Sequence, residues 1–380
     1  MADKKNQHYV PKFLLRKFSS SSEKLINFFN LKRERIFRDV SLADQCYEAY
    51  FYGEDLVTED MLGLLETTAS KIIVDIVDKD VLPLRSSMDH EALLVFVLLQ
   101  HARTKYKAKS INLFADQFTK KHLVKQGKFS DQDLENISIS LKKPSDILLS
   151  VALDGFFLSY DLDVKLLINK TNKNFVLCDN PVVYRNQFAY RRTVSNNIGL
   201  ACMGLQIFFP ISPKHLLIFF DKNCYKIGKK NASSFHITDD RDVARLNHLQ
   251  FLNADENVYF GNSVSSDDIF RTYFETKKYA SKLYPSIRET SNKNVGNGIS
   301  QTQLDVVSPE QKMPLFLSFI KQRKSMSTEE KNSDELLLRN NALVAAWEDF
   351  NSLVKKNIYN RSQFRDYLIS KSTDLLTKRM

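Results

Sequence analysis

Apolar residues change their spacing along the chain, and the changes mark out the elements. Over Thr58 to Lys79, Leu62, Leu65, Ala69, Ile72, Ile73 and Ile76 recur at helical steps, which predicts an amphipathic helix. Pro83 breaks the chain, and Ser86, Ser87, Asp89 and Glu91 open a second helix running from about Met88 to Lys109. Ile111 to Gln126, a weaker Asp131 to Leu141, and Ser145 to Leu158 continue as helices. Pro11 suits a first helical turn, so a short helix starts there with His8 just outside its N-terminus. Leu25 to Asn30 and Glu34 to Val40 form a hairpin around Leu31, Lys32 and Arg33.

From Leu162 the pattern shortens to apolar runs separated by Asn and Lys. Strands are expected at Leu162 to Asn169, Phe175 to Val183, Leu205 to Pro210, His215 to Asp221 and Asn257 to Phe260, with a helix over Asp239 to Asn253. The fold class is therefore α+β: a helical half, residues 1–158, packed on a mostly antiparallel sheet within residues 159–285. Residues 286–307, rich in Asn, Gly, Ser and Thr, read as a linker. Residues 308–380 read as a helical appendage with helices at Ser308 to Arg323, Ser333 to Lys356 and Arg361 to Lys378, and the apolar neighbours of Trp347 give it a sticky face. Docking on the main domain is the plain reading of this appendage. A protein partner or self-association is the other.

Two helical stripes carry polar residues where a core is expected. Glu66 lies inside the Leu62–Ile76 stripe, which is costly unless its carboxylate is paired or reactive. The Leu93–Phe96 stripe runs on through Gln100, Arg103 and Lys107, so that face turns polar, and Arg103 suits Glu66, Asp179 or a bound phosphate as partner. His101 falls off this face and is expected to be exposed. Further on, apolar residues lead into Asp179-Asn180-Pro181 and resume at Val182, setting polar side chains at a strand end.

Composition narrows the chemistry. At 380 residues and 43% hydrophobic, the chain can bury a large core. Cys46, Cys178, Cys202 and Cys224 lack close spacing, which argues against a disulfide framework or structural zinc and fits reduced thiols in a cytoplasm. There is no signal-like apolar core at the N-terminus and no membrane-length apolar run. The missing phosphate loop and GxGxxG, with only 10 glycines, exclude a nucleotide cofactor. A divalent metal stays open. His90-Glu91 lacks the second His of a zincin helix, and Ser212 has no nucleophile elbow around it.

The net charge of +10 favours an anionic partner. Lys105, Lys107, Lys109, Lys120 and Lys121 cluster with Asp116 as the one nearby acid, and a second basic run holds Lys32, Arg33, Arg35 and Arg38. Both suit nucleic-acid phosphates, and the bland alternative is a solvated lysine face.

Gln7-His8-Tyr9-Val10-Pro11 with Phe13, Leu15, Arg16 and Phe18, the Glu66 helix, Gln100-x-x-Arg103, Asp179-Asn180-Pro181-Val182 and Phe209-Pro210-Ile211-Ser212-Pro213 together resemble the bacterial family filed as domain of unknown function 4238. The resemblance spans roughly residues 6 to 260. Cys178 stands where that family usually shows Ser, and Ile211 where it shows Leu. It implies that His8, Glu66, Gln100, Arg103, Asp179 and Asn180 belong to one constellation, and it brings no reaction. Two expectations follow. One is a phosphodiester hydrolase, nuclease-like and used by a bacterium against foreign nucleic acid, with His8 as acid or base, Glu66 or Asp179 as its counterpart, and Arg103 on the phosphoryl oxygens. The other is a non-catalytic nucleic-acid or protein binding module in which the cluster is structural.

Overall fold

The computed structural model describes residues 5–20, 22–188, 198–280, 284–294, 300–307, 313–323, 337–360 and 363–371. Its helices are α1 (Lys12–Lys17), α2 (Val57–Lys79), α3 (Met88–Ala102), α4 (Lys105–Lys125), α5 (Asp131–Leu134), α6 (Pro144–Asp154), α7 (Asp240–Asn253), α8 (Ser266–Lys277), α9 (Asn341–Lys355) and α10 (Phe364–Lys371). The strands are β1 (Asn6–His8), β2 (Leu25–Asn30), β3 (Arg35–Ser41), β4 (Tyr47–Ala49), β5 (Asp163–Asn169), β6 (Leu177–Cys178), β7 (Val183–Arg185), β8 (Gln206–Ser212), β9 (His215–Phe220), β10 (Tyr225–Ile227), β11 (Ser234–Ile237), β12 (Asn257–Phe260), β13 (Ser286–Asn294), β14 (Ser300–Val307) and β15 (Ile320–Gln322).

Two larger sheets organise the α+β fold. One has the order β11-β5-β9-β8-β7 and is antiparallel except for the β11–β5 pair; the other, β3-β2-β12-β6, is antiparallel throughout. All residues of β8 and β9 are buried, and between Gln206, Ser212 and His215 at their ends these strands are apolar. α1, α2 and α3 cover this sheet, with Phe96 of α3 set 6.2 Å from Phe209 of β8, ring centre to ring centre. The strand expected over Phe175 to Val183 is two strands: β6 belongs to one sheet and β7 to the other, and Asp179-Asn180-Pro181-Val182 is the turn between them.

The long helix expected from Met88 to Lys109 ends at Ala102. Thr104 takes an extended conformation and its hydroxyl accepts from the Lys107 N–H, capping α4. The interruption places Gln100, Arg103 and Thr104 at a corner between two helices.

The C-terminal third departs most from expectation. β13 and β14 form an antiparallel hairpin inside the stretch read as a linker. The stretch read as the first helix instead lies extended over its described part, 313–323, and ends in β15 paired with β10. Met313, Leu315, Leu317 and Phe319 are buried at alternate positions. Arg185 and Gln187 donate to the Met313 and Leu315 carbonyls. Leu338 bridges Cys202, and Arg339 is buried with its guanidinium on Asp161 and on the carbonyls of Leu158, Leu200 and Cys202. Beyond it, Phe364 packs against Phe157 with tilted rings whose centres are 4.4 Å apart. Arg339→Ala strands the Asp161 carboxylate and three carbonyls together, so a loss of about 3 kcal/mol and faster cleavage of the tail by protease are expected. Tail cleavage at the parent rate would contradict this.

Candidate functional site

β1 sets His8 at its end, opposite Tyr47 of β4, with ring centres 5.6 Å apart. The Nε2–H of His8 donates to the Ala43 carbonyl at 3.1 Å, which makes Nδ1 the basic nitrogen of the neutral ring. Burial and the Lys12 charge lower its pKa; the Ala43 and Asn6 carbonyls and the Glu66 charge oppose them without reversing the shift. His8 is therefore neutral at pH 7, half-buried, and within electrostatic reach of Glu66.

Behind it lies a continuous polar network. Gln100 donates from Nε2 to the Tyr9 carbonyl at 2.9 Å and accepts from Arg103 Nε at 2.9 Å. Arg103 Nη1 donates to Glu66 Oε1 at 2.6 Å. The guanidinium is 2% exposed, its carbon lies 5.8 Å from the centre of the Phe96 ring, and the Glu66 side chain keeps 27% of its exposure. Arg103 Nη2 has no hydrogen-bond partner. A buried guanidinium normally satisfies its donors; Nη2 is itself sealed from solvent and the Tyr52 hydroxyl interacts with the guanidinium, so it is an under-satisfied donor behind a carboxylate that reaches solvent. Burial opposes the Arg103 charge, but Glu66 and the Tyr52 hydroxyl more than compensate, and its pKa is raised.

Thr104, the next residue in the chain, begins a separate set of bonds. Its hydroxyl donates to Asn180 Oδ1 at 3.1 Å, and Asn180 Nδ2 donates to the Asn253 carbonyl at 3.1 Å. Asp179 faces the other way. Its Oδ1 accepts the Asp255 N–H at 2.8 Å, and its Oδ2 accepts those of Glu256 and Asn257 at 2.7 and 2.9 Å. Burial and the Asp255 charge push its carboxyl pKa up against the pull of these donors. Both oxygens are committed to the turn before β12. The structure thus gathers Glu66, Gln100 and Arg103 in direct contact, with His8 beside them. Asn180 belongs to the separate Thr104 set, and Asp179 braces the backbone.

The lysines of α4 are mostly neutralised. Lys109 lies 2.6 Å from Asp255, Lys120 lies 3.0 Å from Asp116, and Lys105 is between Glu48 and Glu256 at 3.7 and 3.8 Å. Lys121 is likewise engaged. Lys107 is half-buried and its ammonium is lowered to about 8 by burial. His101, expected at the surface, stacks on Tyr184 with ring centres 3.8 Å apart and bonds the Val182 carbonyl at 3.1 Å.

Sequence reasoning missed a second constellation. Ser212 Oγ lies 2.8 Å from His215 Nδ1, and His215 Nε2 lies 2.7 Å from Asp80 Oδ1, the connectivity of a serine-hydrolase relay. The arrangement is inside out. Asp80 is 44% exposed while Ser212 is buried at 5%, and the Lys214 N–H donates into its hydroxyl oxygen. It therefore clasps the β8–β9 turn to the end of α2, in keeping with Ser212 as a turn residue. The signal lay in Ser212-x-x-His215, and its acid comes from a helix end far away in sequence.

No group of three or more His, Cys, Asp or Glu placed to hold a metal occurs among the described residues. All four cysteines are buried and none is in a disulfide. No described helix is long and apolar enough to cross a membrane. A family model described as "Protein of unknown function (DUF4238)" matches residues 6–263, which takes in every residue of the network. No curated protein and no solved structure matches the chain.

Proposed function

From a chain that belongs to the DUF4238 family, whose description names no activity, we propose a nuclease-like phosphodiester hydrolase centred on His8, Glu66 and Arg103. The carrying observation is the unpartnered Nη2 of buried Arg103 next to the partly exposed Glu66. A phosphoryl oxygen is the acceptor such a fixed, charged donor suits. In this reading water attacks phosphorus while His8 Nδ1 takes its proton. The phosphorus–oxygen bond to the leaving group breaks, and the proton passes to the departing alkoxide. Arg103 neutralises the growing charge on phosphorus oxygens, Glu66 holds Arg103, and Gln100 fixes the side of the guanidinium away from the substrate. Use in bacterial defence against foreign nucleic acid would follow from the substrate class.

Incubation of the full chain with RNA and DNA, with and without magnesium, tests the activity. His8→Ala is expected to lower the rate about 10²–10⁴-fold with an unchanged melting temperature, because His8 is half-buried and its ring's polar contacts are the backbone carbonyls of Ala43 and Asn6. The pH profile carries a sign. The folded pKa of His8 is lowered, so its neutral, base-competent form is full above about 6.5 and is lost as pH falls through the folded value. The acid limb of activity should lie below pH 6.5 and vanish in His8→Ala. A limb unmoved by the substitution would remove His8 from the reaction.

A second reading is favoured by the commitment of Asp179 to three backbone donors and of Gln100 to a carbonyl. In it the network welds helices to sheets, and the protein binds nucleic acid or a protein without cleaving it. Absence of cleavage, with collapse of melting in His8→Ala, is its signature.

A further inference from the structure

We propose that the β2–β3 hairpin, through Lys32, Arg33 and Arg35, is the surface that holds the backbone of a single-stranded nucleic acid. The proposal deepens the nucleic-acid reading above and rests on it for the class of partner. Lys105, Lys109 and Lys120 of α4 are spent on Glu48, Asp255, Glu256 and Asp116, whereas Lys32, Arg33 and Arg35 are exposed and none pairs with a carboxylate among the described residues. The one carboxylate of the run, Glu34, is held by Lys277 at 2.7 Å. The cations are also held in place. Asn30 Oδ1 accepts the Arg33 N–H at 2.8 Å and tightens the turn. The Arg33 and Arg35 guanidinium carbons lie 5.8 and 5.5 Å from the centre of Phe37, which stacks on Phe28 at 4.9 Å.

Arg33 lies in the turn, Glu34 bends the chain at φ +50°, and Arg35 opens β3, so the two guanidinium groups converge on the one Phe37 ring and form a paired site for a phosphate backbone. Arg38 is tied to Ser266 by a 2.7 Å hydrogen bond and anchors the middle of β3. β3 is the edge of its sheet, so a strand lying along it meets no other strand among the described residues. Phe37 has Phe28 on one side and the two arginines over its ring, which leaves phosphates rather than bases as the groups this surface recognises.

Fluorescence anisotropy of a labelled oligonucleotide, read over a salt series in EDTA, tests the assignment without cleavage. Arg33→Ala/Arg35→Ala is expected to weaken binding about tenfold or more and to reduce the slope of log affinity against log salt by about 1.4, two phosphate contacts at roughly 0.7 each for a single strand. Lys120→Ala/Lys121→Ala should bind like the parent. Parent affinity in the hairpin variant, an equal loss in the lysine variant, no binding by the parent, or equal competition by polyglutamate would each overturn it. Binding that depends on the hairpin with no cleavage in magnesium would sink only the hydrolase reading. Cleavage that survives the hairpin variant unchanged would sink only this one.

Discussion

Asp179→Ala is expected to be the most damaging single substitution in the turn that joins the two sheets, with a loss of about 3–5 kcal/mol. The Asp179 carboxylate takes the N–H groups of residues 255, 256 and 257 at 2.7 to 2.9 Å, and the side chain is 96% buried. Each buried donor left without an acceptor costs about 1–3 kcal/mol. Water returning to the partly exposed segment after α7 recovers some of this. Asp179→Asn keeps one acceptor oxygen but turns an amide N–H2 toward donors, so it should cost about 2–3 kcal/mol. Both values are read from equilibrium unfolding in urea. A loss below about 1 kcal/mol for the alanine variant would mean that the turn is held by the Asn180–Asn253 bonds instead.

The second large effect belongs to Glu66→Ala, which leaves the Arg103 guanidinium buried beside Phe96 with no carboxylate. Removing one partner of a buried pair costs about 3–5 kcal/mol, and the partial exposure of Glu66 puts this case near 3. Glu66→Ala/Arg103→Met should be more stable than the single variant by at least about 1 kcal/mol, because the stranded charge is gone and the methionine fills similar space. A double variant no better than the single one would show that the pair contributes by packing rather than by charge. The comparison also separates stability from activity, since restored stability in the double variant should bring no restored cleavage.

Glu66, Gln100 and Arg103 were legible because a helix stripe has a strict period, and polar residues within two such stripes must find one another to be tolerated. His8 was legible from its place before a proline-started helix. The partners of Asp179 were not, because residues 255–257 contribute backbone N–H groups, which carry no side-chain signature. The ion pairs that silence the α4 lysines were hidden for a related reason: Asp255, Glu256 and Glu48 lie far away in sequence and meet the helix only after β12 and β4 are placed. In the tail, the alternation of Met313, Leu315, Leu317 and Phe319 has the strand period of two, and a helix reading overrode it. Its backbone is satisfied by Arg185 and Gln187 rather than by a helix, a choice made by tertiary structure.

The threading of 313–323 against β10, and of 337–339 against Cys202, carries a consequence for how the polypeptide matures. The family match stops at residue 263, yet an apolar trough in that part of the molecule is roofed by side chains translated much later. A nascent chain released or cut before the roof emerges would present an uncovered trough and a bare strand edge to its neighbours, the conditions under which polypeptides aggregate. Shortened versions ending near 263 should thus need a chaperone or detergent to stay dispersed, whereas the whole polypeptide should not.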